Sequence, residues 1–377
     1  MSPHFWNPSP FPFSRGNKRE EQYVRKIIFM KSNVEPFPYY RRLSFCPTKN
    51  LKYLKKLNAF VGLFPKSYTN EYLYHPDIYQ IEEDIEVKIH IPVMGKILPK
   101  PQVIPWGIKR VGADKVWSNA QGKGVRVAVI DTGISFDHPD LEKNIRGGVN
   151  ILSPILPPYD HNGHGTHIAG TIGAVNNTIG VVGVAPQVSL HAVKAFNKDG
   201  TAKLSDIIKG IDWCIDHNMD IINMSFGFNE PSPTFREAIK RAQEAGIIMV
   251  AASGNKGTRG RLEYPAQFGE TIAVSSINEE NKISKFSTIG GAVDLAAPGE
   301  KIISTWMNNS YRELSGTSMA VAHVTGVSAL MLSKFPNLST RDLITFMKQT
   351  AIPLEDASFY SQGFGVVNAS VLRNSYR

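Results

Sequence analysis

Aspartate, histidine and serine residues suited to nucleophilic chemistry stand in three short segments of this sequence. The first is Val129-Ile130-Asp131-Thr132-Gly133, which puts an acid at the end of an apolar run. Many α/β proteins carry an aspartate there, and Asp-Thr-Gly is also the loop of aspartic peptidases. A bilobal peptidase of that class needs a second such loop, because its two carboxylates share one proton. The chain has none, which leaves only a homodimeric version. The second segment holds His161, His164 and His167. On a helix, positions i, i+3 and i+6 drift around the axis, and no Glu or Cys completes a zinc set. Small neighbours (Gly165, Thr166, Ala169, Gly170) suit instead a tightly packed helix start that shows His164 to a cleft, with His161 in a loop and His167 in packing. The third segment is Ser315-Gly316-Thr317-Ser318-Met319-Ala320, at the head of an apolar stretch that Pro336 stops. Ser318 in that first turn would sit among free N–H groups at the positive end of the helix dipole. A serine alkoxide and a tetrahedral oxyanion are best tolerated there. A plain helix N-cap is the competing reading.

The elements that must position these residues alternate along the chain. Val125–Ile130, Asp220–Ser225, Ile247–Ser253 and Thr271–Ile277 read as short strands. Leu204, Ile207, Ile208, Ile211, Cys214 and Ile215 make one helical stripe. Phe235, Ala238, Ile239, Ala242 and Ala245 make another, ended by Gly246. This pattern predicts a three-layer α/β/α fold with a mostly parallel sheet covered on both faces. Sites in such sheets collect beyond the carboxyl ends of the strands, where Asp131, Ser225 and Asn255 fall.

Length and composition bound the rest. At roughly 150 residues per domain, 377 residues imply two or three domains. The apolar content of 42% is globular. The net charge of +9 is uneven: residues 1–100 hold 16 basic and 9 acidic residues, the remainder 26 and 24. A nearly neutral main domain argues against a nucleic-acid groove. Two cysteines, Cys46 and Cys214, build no disulfide framework, and no apolar run reaches the ~18 residues of a membrane span. The opening lacks the basic-then-apolar design of a signal peptide, so no classical export route is indicated and the compartment stays open. Residues 1–22 read as a disordered leader, 23–90 as a small α+β domain, 91–104 as a Pro-containing linker, and 105–377 as the main domain. Within 23–90, Tyr23–Lys31 is strand-like, Leu51, Leu54, Leu57 and Val61 fall at helical spacing, and Tyr79–His90 alternates as one strand.

Asp, then His, then Ser is the chain order of the subtilisin type of triad. From Pro105 to Ser370 the sequence resembles subtilisin-like serine peptidases, through Ala128–Ile134, Asn162–His167, Asp220–Ser225, Ala252–Asn255, Leu295–Gly299 and Ser315–Ala320. The resemblance implies a serine endopeptidase acting on proteins or peptides through an acyl-enzyme. Ser318 would be nucleophile, His164 general base and acid, Asp131 its orienting partner, and Asn255 an oxyanion donor beside the Ser318 N–H. Gly200-Thr201-Ala202 and Ser225-Phe226-Gly227 resemble the segments that pair with an extended substrate, although Ser225 also suits an ordinary strand end. A structural Ca²⁺ is implied by the likeness of Val175–Val181 to the family's calcium loop. Val175, Asn177, Ile179 and Val181 would supply oxygens with Asp140 and Gln102, and a loop closed without metal is the alternative. Residues 23–90 resemble the family's propeptide inhibitor, chiefly at His75–Asp84, with a tail lying in the substrate cleft. An unrelated α+β module is the other reading of that region. The implied protein is a monomer made as an inhibited precursor; a catalytically silent peptide-binding relative is the rival. Three departures stand out. Pro92 and Pro101 restrict cleavage within a long linker. Ala322 replaces the usual proline in what reads as the first helical turn, predicting a looser presentation of Ser318. Glu263 falls near the floor of the P1 pocket with Lys256 at its rim, and the two are expected to pair.

Overall fold

The computed structural model describes residues 22–44, 48–66, 76–90, 93–94, 101–257 and 261–373. Residues 1–21 of the expected leader, His75 of the propeptide-like motif and most of the expected linker lie outside them. The chain divides into two units. One is formed by residues up to Tyr53 with Asn58–Glu83, the other by Leu54–Leu57 with Asp84 onward.

The smaller unit contains β1 (Tyr23–Met30), α1 (Pro36–Ser44), β2 (Lys49–Leu54), β3 (Ala59–Pro65) and β4 (Ile78–Glu83). Its sheet runs β2-β3-β1-β4, with β1 antiparallel to β3 and β4. Ile28, Met30, Phe60 and Phe64 form an apolar face that Tyr39 and Leu43 of α1 close. The helical spacing of Leu51, Leu54, Leu57 and Val61 does not produce a helix: two strands joined by a short 3₁₀ turn occupy this stretch. Asn50 and Asn58 adopt φ of 56° and 48°, a left-handed conformation that interrupts any helix. The Asn58 amide donates to the carbonyls of Lys31 and Val34, which fixes the turn. The alternation over Tyr79–His90 also divides, into β4 and a separate β5 (Glu86–Ile89). Tyr79 is 66% exposed whereas Ile78 is buried, so the expected inward face is out of phase at its start.

The main stretch of the larger unit starts at Asp84, whose buried carboxylate accepts from the N–H and hydroxyl of Ser205 at 2.8 and 2.7 Å. Then follow β5, β6 (Val93–Met94), β7 (Arg126–Asp131), β8 (Ile145–Asn150), α2 (His164–Gly173), β9 (Ser189–Lys194), β10 (Thr201–Lys203) and α3 (Leu204–Asp216). Next come β11 (Ile221–Met224), β12 (Phe226–Gly227), α4 (Pro233–Glu244), β13 (Ile248–Ala252), β14 (Ile272–Ile277) and β15 (Leu295–Pro298). The hairpin of β16 (Ile302–Trp306) and β17 (Ser310–Ser315) leads into α5 (Thr317–Lys334). Seven strands form one parallel sheet in the order β15-β14-β13-β11-β7-β9-β8. Helices α2 and α5 pack together on it, and α3 and α4 form the opposite layer, giving the expected three-layer α/β/α architecture. Residues Thr317–Met331 of α5 are buried on every side, as an all-round apolar helix must be. The chain winds outward from β7 in both directions, so the switch point lies between β7 and β11. Asp131 ends β7 and Ser225 follows β11, both at that crevice. Among the described residues no helix is long and apolar enough to cross a membrane.

Candidate active site

At the carboxyl end of β7, Asp131 meets His164, the first residue of α2. The imidazole Nδ1–H donates to the two carboxylate oxygens at 2.8 and 2.9 Å, and both side chains are buried. A carboxylate only accepts, so this contact places the proton on Nδ1 and leaves Nε2 as the basic nitrogen. Nε2 is buried and has no hydrogen-bond partner among the described residues. The Thr132 N–H holds Asp131 Oδ1 at 2.7 Å. Two glycines permit the approach. Gly163 has φ 105°, and a Cβ there would strike Trp306; a Cβ on Gly165 would lie 2.2 Å from the Gly133 carbonyl.

Asp160 was not singled out from sequence, yet it fixes this turn. Its buried carboxylate accepts from the N–H groups of Asn162, Gly163 and Thr166 and from the hydroxyls of Thr132 and Thr166, at 2.6–3.0 Å. Thr132 Oγ1 in turn accepts from the Gly165 N–H. The loop before His164 is thereby tied to the strand that carries Asp131. An aspartate two residues before Asn162-Gly163 is the local signal for such an Asx-type turn. Lys194, also unremarked in the sequence, donates to the Thr132 carbonyl. Burial pushes its amine below the ordinary range, while Asp160 and Asp131 oppose that shift. His161 is exposed at the loop surface, with its ring edge against Tyr159. His167 is buried and its Nε2 faces the carbonyls of Ile302 and Arg312. Burial, then the neighbouring His164, hold it near about 3, so it stays neutral. Among the described residues no cluster of three or more His, Cys, Asp or Glu side chains is arranged to hold a metal.

Ser318 is the second residue of α5 and fully buried. Its hydroxyl donates to the Ser225 carbonyl at 3.1 Å, and the Ser225 hydroxyl donates to the Ser318 carbonyl at 3.2 Å. Asn255 Oδ1 accepts from the Thr317 N–H at 3.0 Å and from its hydroxyl at 2.9 Å. These donors decide which end of the amide is oxygen, so Nδ2 is presented as a donor at the same helix start. Ala322 is the sixth residue of α5, not part of its first turn. Helix geometry directs its N–H to the Ser318 carbonyl, and proline there would remove that interior bond. The expected loosening of the first turn by alanine therefore has no basis in the structure.

Beside this site, β5 lies between β10 and β12 as the centre of a three-stranded antiparallel sheet. Lys88 faces Thr201 and Gly227, Ile89 faces Phe226, and the Ile89 N–H donates to the Gly200 carbonyl at 3.0 Å. Gly200 has φ 72°, and a Cβ on it would come within 2.7 Å of Ile89. The segments at Gly200 and at Phe226 and Gly227 thus grip an extended chain, here the protein's own, while the contacts of Ser225 are to Ser318 and Asn223. His90, the next residue, reaches Glu263, with Nε2 and Oε2 2.6 Å apart. Lys256 Nζ lies 2.8 Å from the other Glu263 oxygen, which is the expected pairing. Burial would raise the Glu263 carboxyl, but the bonds and charges of His90 and Lys256 outweigh it and hold the group at about 2.

A second constellation surrounds Gln102. Its Nε2 lies 3.0–3.3 Å from the carbonyls of Val175, Ile179 and Val181 and from Asn177 Oδ1. Asp140 borders the same loop, accepting from the Asn177 amide and the Val181 N–H at 2.9 and 3.0 Å. Four oxygens converge on an amide nitrogen that has only two hydrogens to give.

A parallel α/β/α sheet, a buried Asp–His pair and a serine at a helix start describe a serine peptidase. Residues 122–365 match the subtilase family, and the chain belongs to that family of serine endopeptidases. It is 42% identical over 289 residues to a thermostable alkaline protease of Halalkalibacterium halodurans, covering 76% of each chain. With subtilisin DY of Bacillus licheniformis it shares 41% over 273 residues, 71% of this chain and 99% of the relative. Subtilisin E of Bacillus subtilis is 39% identical over 324 residues, 85% of this chain and 82% of that one.

Proposed function

We propose that this subtilase forms its acyl-enzyme on Ser318, with His164 as general base and acid and Asp131 as the group that orients it. The observation that carries this reading is the buried Asp131–His164 pair with Nε2 unpartnered. A turn of the Ser318 hydroxyl away from the Ser225 carbonyl gives its proton to Nε2 as Oγ attacks the substrate carbonyl carbon. The resulting oxyanion accepts from Asn255 Nδ2 and the Ser318 N–H. On collapse, the C–N bond breaks and the imidazolium returns its proton to the leaving amine. Water then attacks the ester, passes a proton to His164 and releases the carboxylic acid with Ser318 restored. Protein and peptide substrates would add as strands along Gly200 and along Ser225, Phe226 and Gly227. Hydrolysis of a denatured protein by the wild type and not by Ser318→Ala tests the assignment. A folded, propeptide-free wild type without hydrolytic activity is the outcome for a catalytically silent peptide binder.

We further infer that residues 23–90 are an inhibitory propeptide, 91–104 its linker and 105–377 a monomeric peptidase domain. Residues 86–89 occupying the strand position of a substrate support this. The subtilisin E match also takes in 85% of the chain, more than the 72% (273 of 377 residues) that 105–377 supplies. A Ca²⁺ ion suits the oxygens around Gln102. Three carbonyls, the side-chain oxygens of Asn177 and Gln102 and one carboxylate, Asp140, are a hard all-oxygen donor set. The amide of Gln102 would turn its oxygen inward, and the ion would brace the 175–181 loop rather than take part in the chemistry.

A further inference from the structure

The pocket that receives His90 carries a buried carboxylate, one oxygen of which an ordinary apolar side chain would leave without a donor. Glu263 is 5% exposed. Lys256 occupies Oε1 and His90 occupies Oε2. The walls are glycines placed for this contact. A Cβ on Gly227 would lie 2.1 Å from Glu263 Oε2 and 2.8 Å from His90 Nε2, and one on Gly254 would lie 3.3 Å from the Glu263 side chain. His90 also directly follows a strand that ends beside Ser318. Ile89 pairs with Phe226, next to Ser225, whose carbonyl the Ser318 hydroxyl touches. Val93 pairs with Ser315, three residues before Ser318. The two pairings thus place His90 between strand contacts made on either side of the Ser318 site.

We propose that Glu263, with Lys256 clamped on its second oxygen, makes this pocket selective for histidine, so that the enzyme cuts protein substrates after histidine. The proposal rests on Ser318 being the nucleophile. The imidazole Nε2–H donates to Oε2 while Lys256 keeps Oε1. Phenylalanine or leucine strips that buried oxygen of its donor, which is costly. Lysine and arginine each set a permanent like charge against Lys256, on a longer chain with more rotamer freedom to lose.

The test uses the propeptide-free enzyme and fluorogenic peptides Val-Lys-Ile-Xaa, whose first three residues copy 87–89, with Xaa His, Phe, Leu, Lys or Arg. We expect kcat/KM for His to exceed Phe and Leu by at least ~10-fold, or about 1.4 kcal/mol, and to exceed Lys and Arg. Glu263→Ala should lower the His-to-Phe ratio to about one or below. Equal rates across the wild-type panel, or Lys and Arg preferred to His, would overturn the proposal. So would an unchanged ratio in Glu263→Ala, and if that variant does not fold, the wild-type panel decides alone. Fluorophosphonate labelling of the same samples separates the two readings. Labelled, active enzyme without histidine preference refutes only the pocket proposal, whereas unlabelled enzyme inert on every peptide refutes the nucleophile.

Discussion

Asn255→Ala separates two jobs, one seen in the structure and one that the proposed mechanism gives the same side chain. Oδ1 caps α5 by accepting from the Thr317 N–H and hydroxyl, while Nδ2 is left to donate to the oxyanion. Loss of the oxyanion donor removes roughly 2.7–4 kcal/mol of transition-state stabilisation, a kcat fall of about 10²–10³ and a scale taken from a subtilisin. Loss of the cap costs about 1 kcal/mol of stability, which lowers Tm by about 2–4 °C in a domain of this size. Asn255→Asp keeps oxygens for Thr317 but offers the oxyanion a negative charge in place of a donor. Its Tm should stay near that of the wild type while kcat falls at least as far. Steady-state kinetics on a peptide substrate, with thermal melts of the same preparations, read both effects. KM should move little, because the interaction is made in the transition state. An Asn255→Ala enzyme that loses less than ~5-fold in kcat, or loses activity only through KM, would refute the reasoning.

Three further outcomes are expected. Chelation should destabilise the fold by the binding free energy, about 2.7 kcal/mol when free Ca²⁺ had stood at 100 Kd, and so lower the thermal midpoint, and Asp140→Ala should remove most of the difference; equal midpoints with chelator and with excess Ca²⁺ would remove the metal from the account. Ser318→Ala should accumulate the full-length chain, whereas in the wild type the first fragment released, identified by mass, should end at His90; an intact, fully active 377-residue chain would contradict the precursor. In that Ser318→Ala precursor, Glu263 is held at about 2 against an ordinary 4.5, by His90 and Lys256. A depressed carboxyl stabilises the fold above its ordinary value, and the contribution is lost as pH falls from about 4.5 toward 2. Melts over that window should be steeper in pH than those of Glu263→Ala, and parallel curves would count against the buried pair.

What the sequence made legible follows from how locally each feature is encoded. Four of the seven core strands (β7, β11, β13 and β14) and the three segments holding Asp131, His164 and Ser318 are readable because each is a contiguous run with its own turn chemistry, whereas β8, β9 and β15 carry no such run. The small unit was misread between Leu51 and Val61, where apolar spacing satisfies a helix and a strand pair alike and the decision falls to Asn50 and Asn58 at positive φ. Asp160 escaped notice because its role is to gather donors from Thr132 and Thr166 on separate elements. His90 and Glu263 are 173 positions apart, and only the strand register of residues 86–89 brings them together. Ala322 falls in the second turn of α5 because the helix starts at Thr317, a boundary that the surrounding small residues do not mark.

The central claim is that Ser318 is the nucleophile, and covalent labelling tests it most directly. A folded, propeptide-free sample is treated with a fluorophosphonate and the modified peptide is located by mass spectrometry. One adduct per chain on Ser318, absent in Ser318→Ala and greatly slowed in His164→Ala, is the result the geometry predicts. No adduct in the wild type, or an adduct on another serine that persists in Ser318→Ala, would contradict it.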